Sequence, residues 1–415
     1  MKRLPATTVY YALQVLLFMP TWVVMSVYLV RTLHFSPLQL VLMGTAMEAA
    51  IFVFEVPTGV VADTYSRRLS LIVGYLGMGV AWMLVGVFSA PLAIIVLWGF
   101  WGLSYTFTSG AYQAWITDEV GLENVGRLFL KGARVRYVGA VLGLIGQVAV
   151  GVVSLRAGVV AGGAVTALCG VLCILFMPET GFRRRPRTQR VSASAEMRRT
   201  AVAGARYAWA APVILLLVGV DLFMGMSSEA FDRLKEAHFL RDVGLPAVGR
   251  LDAVVWFGIF WLAGMVLGFV ATTWLIRRFE RGGRRVVTSS LFTLTMMEMA
   301  AMLVFALTGS TWVAIAALLG VFLARDLGAP LYTIWLNEQI SDSSVRATVL
   351  SISGQADAIG QAGGGPVLGA MGNAWGIRTA LAAGAVVIAP ALGLYARAIA
   401  HGGREPELQE LPAEA

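Results

Sequence analysis

Carboxylates set inside long apolar stretches are the residues of this chain best placed to do chemistry. Glu48, Glu55, Asp221, Glu298, Asp326 and Asp357, with Arg325 beside them, all fall at depths that would lie in hydrocarbon. A charge there costs about 2.5–3.5 kcal/mol on insertion scales and faces an interior cavity or a partner rather than lipid. An acid taken out of water favours its neutral form, so such a group can take up a proton on one side and release it on the other. Glu48 and Glu55 are one heptad apart and share a helix face. Arg325 and Asp326 are adjacent and cannot meet on one helix, so each needs a partner elsewhere. Glu55 precedes Asp63 by eight residues, about 12 Å at a rise of 1.5 Å per residue. Pro57 follows it and frees the carbonyl of Val53. Glu55 and Asp221 therefore lead as proton carriers, then Asp357, with Glu48, Asp326 and Glu298 behind them. A structural, hydrogen-bonded acid is the simpler role for any one of the set.

A second set is aromatic. Trp98, Trp101, Tyr105, Tyr112 and Trp115, with Thr108 filling the gap, recur at spacings of 3, 4 and 7 and form one helical stripe. Such rings suit a flat, amphipathic or cationic ligand; packing and interfacial anchoring would produce the same pattern, above all for Trp98 and Trp115 near the ends. Hydrolysis and group transfer have no support. His34, His238 and His401 are far apart and read as loop or tail residues, Cys169 and Cys173 read as buried or lipid-facing thiols, and no phosphate loop occurs. The expectation is no cofactor, no metal, no enzyme and no ATP as energy source.

The elements that position these residues follow from composition. Only 13% of the 415 residues are charged, against about 25% in soluble domains, so most of the chain must face lipid or other apolar helices. Twelve stretches reach the length of about 20 residues that a spanning helix needs: 9–30, 38–62, 69–89, 91–117, 134–155, 157–177, 211–231, 252–276, 286–307, 311–335, 347–371 and 376–399. Strand-like alternation is absent, so the chain reads as an all-α membrane protein of twelve transmembrane helices. The net charge of +8 sets topology rather than marking a nucleic-acid partner. Arg67, Arg68, Arg127, Lys131, Arg134, Arg136 and the cluster from Arg183 to Arg206 fall in gaps on one side of the serpentine. Arg31, Arg156, Arg233, Lys235, Arg241, Arg250 and Arg378 make the other side poorer. That asymmetry predicts cytoplasmic termini in a plasma (inner) membrane and contact with anionic lipid.

The chain is also internally duplicated. Asp63-Thr-Tyr-Ser66-Arg67-Arg68 recurs 217 residues later as Glu280-Arg-Gly-Gly283-Arg284-Arg285, and Tyr112-x-x-Trp115-x-x-Asp118 recurs after 220 as Tyr332-x-x-Trp335-x-x-Glu338. Two motifs at nearly one offset predict two parallel six-helix pseudo-repeats. Residues 1–180 form one half and 208–400 the other, joined by a basic linker, 181–207, and followed by a disordered tail, 401–415. Two-fold repeats in membranes are characteristic of alternating-access transporters.

Gly59-Val-Val-Ala62-Asp63-Thr-Tyr-Ser66-Arg67-Arg68 resembles the loop 2–3 signature of the major facilitator superfamily, G-x-x-x-D-x-x-G-R-R/K, with Ser66 replacing the second glycine. Phe54-Glu55-Val56-Pro57-Thr58-Gly59 and Arg346-Ala-Thr-Val-Leu-Ser351 resemble the drug:proton antiporter branch, near the tetracycline- and macrolide-efflux-type pumps. The Gly-Pro pattern of that branch sits in span 11 here, Gly363-Gly364-Gly365-Pro366, instead of span 5. The resemblance implies a monomeric antiporter exporting an amphipathic small molecule in exchange for protons. It also implies a gate made by Asp63, Arg67 and Arg68 with Asp118, and by Glu280 and Arg284 in the second copy; Arg67 can pair with Asp118 or Glu119. It implies further that spans 1, 4, 7 and 10 line the cavity, which places Trp101, Tyr105, Thr108, Tyr112, Arg325 and Tyr332 at the substrate. Transport of a lipid-like molecule or metabolite, including uptake, and a non-transporting receptor or scaffold are the rival readings.

Overall fold

The computed structural model describes residues 3–19, 22–182, 211–249, 251–279, 283–340 and 346–402, together with residues 202, 206 and 209; the side chains of 274–285, 347 and 402 lie outside the described set. Twelve helical rods follow one another in antiparallel order. The first, α1, is built from two segments, Ala6–Leu16 and Trp22–Thr32. Then come α2 (Pro37–Thr64), α3 (Arg67–Val85), α4 (Pro91–Val120), α5 (Leu122–Val153) and α6 (Leu155–Phe176). The remaining six are α7 (Pro212–Val243), α8 (Ala253–Phe279), α9 (Gly283–Leu307), α10 (Thr311–Glu338), α11 (Arg346–Trp375) and α12 (Ile377–His401). Among the described residues, ten helices are long and apolar enough to cross a membrane. α1 falls short because it breaks after Leu16, and α11 because Gln355, Asp357, Gln361 and its glycines dilute its apolar content.

The helix starts are written locally. Ser36 and Gln39 form a reciprocal capping box ahead of Pro37, and Ser66 accepts from the backbone N–H of Leu69 to cap α3. Within α4 the regular helix is interrupted between Thr106 and Ala111, where Gly110 takes a φ of 70°. A side chain is disfavoured at such a φ. The break turns Ser109 and Tyr112 toward the interior.

Apolar packing differs at the two ends of the molecule. At the end carrying Arg31 and Phe35, one continuous core mixes Val27, Tyr28, Leu29 and Val41 of α1 and α2 with Phe231, Phe239, Phe257 and Phe305 of α7, α8 and α9. At the end carrying Arg67 there are two separate cores. One holds Val9, Leu13, Leu71, Trp115 and Met177 from α1 to α6, and the other Leu217, Leu291, Leu331, Trp335 and Tyr395 from α7 to α12. The first six and the last six helices are therefore fused at the Arg31 end and parted at the Arg67 end. Hydrogen bonds agree: Arg31 meets Asp252, Arg241 donates to the Phe35 carbonyl and the Leu38 N–H donates to Asn373, all at the fused end.

Two boundaries differ from the expectations. α7 does not stop at 231 but continues to Val243, so Arg233, Lys235, His238 and Arg241 are helical residues, not loop charges. His238 is fully buried, with Nδ1 2.9 Å from Asp242 Oδ2 and Nε2 3.0 Å from the Phe305 carbonyl. α5 begins at Leu122, which takes Arg127, Lys131, Arg134 and Arg136 out of the expected loop and onto its first turns. Gly151 of α5 faces Val254 of α8 as well as Val24 of α1, whereas Gly139 and Gly143 pack within their own half: a methyl built on Gly143 would lie 2.1 Å from the Met19 carbonyl oxygen, where the broken α1 crosses. Overpacking of this kind costs about 1–3 kcal/mol. Gly143→Leu is thus expected to lower the thermal unfolding midpoint in detergent, whereas Gly146→Leu, with nothing within 4 Å, leaves it unchanged.

Candidate functional site

The rods converge on a cavity bounded by aromatic rings on one wall and charges on the other. On the aromatic wall Trp101 and Tyr105 stack at 5.6 Å and 7°, and Tyr112 stacks on Tyr10 at 5.5 Å. These three residues and Thr108 line one cavity of about 590 Å³ with Gln14, Trp22 and Arg136. Trp98 and Trp115 do not reach it. Trp98 is buried behind Trp22, 4.8 Å away, and Trp115 donates its indole N–H to the Pro178 carbonyl at 2.8 Å. A second lobe of about 700 Å³ adjoins it at Leu17, Phe18 and Trp22 and is lined by Glu48, Glu229, Asp232, Arg233 and Gln361. A third, of about 750 Å³, lies between α5, α8 and α10 and contains Arg136, Asp232, Arg325 and Asp326.

The charged wall centres on α7. Glu229 accepts from Arg233 Nε at 2.9 Å, and the Arg233 guanidinium lies 5.4 Å from the Trp22 ring centroid. Arg325 of α10 donates to Glu298 of α9 at 2.6 Å and to Asp232 at 2.9 Å, with Phe231 under its guanidinium. Glu229, Asp232 and Arg233 are not legible as cavity residues in the sequence, because the run Asp232-Arg-Leu-Lys-Glu looks like the end of a span and makes Arg233 a loop charge. The i,i+4 spacing of Glu229 and Arg233 was the one available signal.

The other acids fall into distinct settings. Asp221 accepts from Tyr332 and from Ser353, both at 2.5 Å, joining α7, α10 and α11. Asp357 accepts from Gln361 at 2.7 Å. Asp221, Asp357, Glu298, Arg325 and Tyr332 share a pocket of about 330 Å³ inside the last six helices. Arg325 and Tyr332 thus belong to that pocket and not to the aromatic cavity with Trp101, Tyr105, Thr108 and Tyr112. Glu48 and Asp326 carry no hydrogen bond or ion pair among the described residues, and both face cavity lobes. Glu55 departs from the expected burial: its side chain is exposed and accepts from Ser109 at 2.9 Å. The reason is the parting of the two halves, which leaves the second half of α2 without a neighbour on that face.

At the Arg67 end, Arg67 Nε lies 2.9 Å from Asp118 Oδ2, and its Nη2 lies 3.6 Å from Asp63. Arg68 donates to the carbonyls of Cys173 and Ile174, the last turn of α6, where cations suit the carbonyl-rich helix terminus. Of the two acids open to Arg67 it takes Asp118, while Glu119, with Glu179, completes the cluster. Glu179 accepts from Ser66 and from the Arg68 N–H, and Glu119 from the N–H groups of Thr180 and Gly181. These contacts stay within the first six helices. Glu280 and the side chain of Arg284 lie outside the described residues. The duplicated tyrosines are equivalent in space: the Tyr112 hydroxyl lies 3.1 Å from the Tyr10 carbonyl of α1, and the Tyr332 hydroxyl 3.2 Å from the Leu217 carbonyl of α7.

Residues 7–354 match the sequence profile of the Major Facilitator Superfamily. The chain belongs to this family. It is therefore a multi-pass membrane transporter and not an enzyme. A curated relative, the uncharacterized MFS-type transporter YxaM of Bacillus subtilis (strain 168), is 27% identical over 129 residues. That match spans 31% of this chain and 31% of the relative's length. Solved structures share the fold. The nucleoside transporter NupG aligns with a TM-score of 0.70 at 12% identity, covering 97% of this chain and 99% of that one. A POT family transporter in complex with 5-aminolevulinic acid gives 0.71 at 12%, covering 96% and 95%. A bacterial homologue of the human lysosomal transporter Spinster, inward-facing and unoccupied, gives 0.68 at 14%, covering 95% and 96%.

Arg325 is the one cation that bridges α7, α9 and α10 through two carboxylates among the described residues. Removing one partner of such a network leaves uncompensated charge. Arg325→Met is expected to cost about 3 kcal/mol, the low end for a buried pair because Asp232 is partly exposed. Glu298→Gln in the same background should restore part of the loss, read from thermal unfolding of the purified protein in detergent.

Proposed function

We propose that this transporter exports amphipathic small molecules in exchange for protons, by alternating access, as a monomer of the plasma membrane with both termini cytoplasmic. In this reading residues 1–180 and 208–400 are the moving halves and 181–207 the linker. The Arg67 end faces the cytoplasm, so the conformation described here is open inward. The observation that carries the proposal is a wall of stacked aromatic rings beside cavity lobes lined by Glu48 and Asp326, two carboxylates with no hydrogen-bond or ion-pair partner among the described residues. Rings supply area for a flat, partly apolar ligand. Unpartnered acids at cavity depth are groups that can change protonation as access alternates.

Among the acids, Glu48, Asp221 and Asp357 are the proton carriers in this proposal, and Asp326 a fourth. Glu298 serves as counter-ion to Arg325. Glu55 sits nearer the open end, where it meets solution before the others. The Asp63–Arg67–Asp118 cluster acts as the gate at the cytoplasmic end. In the conformation described here it is assembled within one half and ready to meet the other.

The deciding experiment is proton flux in proteoliposomes under an imposed pH gradient, with fluorescent amphipathic cations and neutral analogues as test ligands. Wild-type protein should move ligand uphill and move protons the opposite way. Co-movement of both would mean uptake, and ligand without proton movement would remove the coupling. Asp221→Asn and Glu48→Gln should abolish uphill transport while downhill exchange continues; uphill transport in both would show that the proton travels elsewhere. Trp101→Ala and Tyr105→Ala should weaken ligand binding about tenfold, since an aromatic stack contributes about 0.5–1.5 kcal/mol beyond its buried area. Normal binding with lowered thermal stability would make those rings packing residues.

A further inference from the structure

Where the halves are fused, a charged side chain of one half is embedded in the other. Glu229, on α7, is 2% exposed. Its carboxylate lies over Gly44 of α2: a methyl built on Gly44 would sit 1.5 Å from Glu229 Oε1 and 2.5 Å from Arg233 Nε. Gly365 of α11 forms the other wall, its Cβ position 3.0 Å from Glu229 Cγ and 3.0 Å from Val41 of α2. Two glycines on two helices thus leave a notch shaped for this side chain. Buried carboxylates need a partner. Here it is Arg233, one turn along the same helix, whose guanidinium is held in turn over Trp22 at the edge of the cavity.

We propose that Glu229, seated in the notch of Gly44 and Gly365 and paired with Arg233, is the positioning residue that closes the transport path at the Arg31 end. This goes beyond the gate expected from the loop motif, which lies at the opposite end, and it rests on the alternating-access part of the function proposed above. Three features support it. The seat crosses between halves, so it exists only when they are together. The charge of Glu229 is met there by Arg233 alone among the described residues, because the Thr45 hydroxyl beside the notch donates to the Val41 carbonyl of its own helix. And Glu229 and Arg233 also line the cavity lobe that holds Glu48, so the closing contact and the ligand space share the same two side chains.

The test uses spin labels at Phe88 and Thr308, in the α3–α4 and α9–α10 connections of the Arg31 end, with the distance distribution measured in nanodiscs. Neither substrate nor protons are needed, so a failure of the proton-export reading leaves this result standing, and the reverse. Wild-type protein should give mainly the short distance. Gly44→Ala, which removes the seat, should shift more than half of the population to a longer one. Shortening the acid in that background, Gly44→Ala with Glu229→Asp, should bring the short distance back, a rescue that mere loss of packing would not show. Glu229→Gln keeps the shape and removes the ion pair, so it should lengthen the distance without any change at Gly44. If Gly44→Ala fails to fold, the Glu229→Gln result decides alone. A wild-type distribution in Glu229→Gln, or in a folded Gly44→Ala protein, would overturn the assignment.

Discussion

Burial of charge on α7 is the constraint on which the rest of the structure depends. Glu229, Asp232, Arg233, Lys235 and Glu236 occupy barely two turns of a helix that lies in the middle of the molecule. None can be left alone in a low-dielectric interior. Arg325 reaches across from α10 to Asp232 and Glu298, Arg233 folds back on Glu229, and Lys235 lies 3.5 Å from Glu236. Each pairing fixes where a neighbouring helix must run. α9 and α10 are drawn to the Arg325 side, and α2 approaches on the Glu229 side as closely as Gly44 allows. The cavity is the space that this set of ion pairs holds open between the two sets of six helices.

A single apolar core would have made a static bundle. Here the core is shared at the Arg31 end and divided at the Arg67 end. Each half keeps its own packed centre where the halves are apart, because Leu71, Trp115 and Met177 on one side, and Leu217, Leu331 and Trp335 on the other, pack within their own half. The polar cluster around Arg67 belongs to the same design. It ties α2, α3, α4 and the segment after α6 into one rigid end. Interfaces that form at one end as they open at the other are the structural basis of two-state transport.

The pseudo-repeat is visible at the level of single polar contacts and breaks down around the cavity lobes. Tyr112 and Tyr332 each set the hydroxyl beside a backbone carbonyl of the first helix of their own half. Around them the halves diverge. Tyr112 faces a cavity walled by Trp101 and Tyr105, whereas Tyr332 also donates to Asp221 in a pocket with Asp357, Glu298 and Arg325. At this pair of equivalent positions the first half presents rings and the second acids.

By itself the sequence determined the membrane class, the twelve helical rods, the duplication and the stripe Trp101, Tyr105, Thr108 and Tyr112. All of these rest on local quantities: the length of an apolar run, a 3.6-residue period and the spacing of a repeated motif. The tertiary structure alone decided which acids are paired. A run such as Asp232-Arg-Leu-Lys reads as a helix end because charges are costly in hydrocarbon. Here that cost is cancelled by Arg325, 93 residues further on, so α7 continues for another three turns. Glu55 shows the reverse. Its sequence position implied burial, but the parting of the halves at that end leaves it exposed. Insertion cost is a property of a segment, whereas its compensation depends on partners distant in the chain.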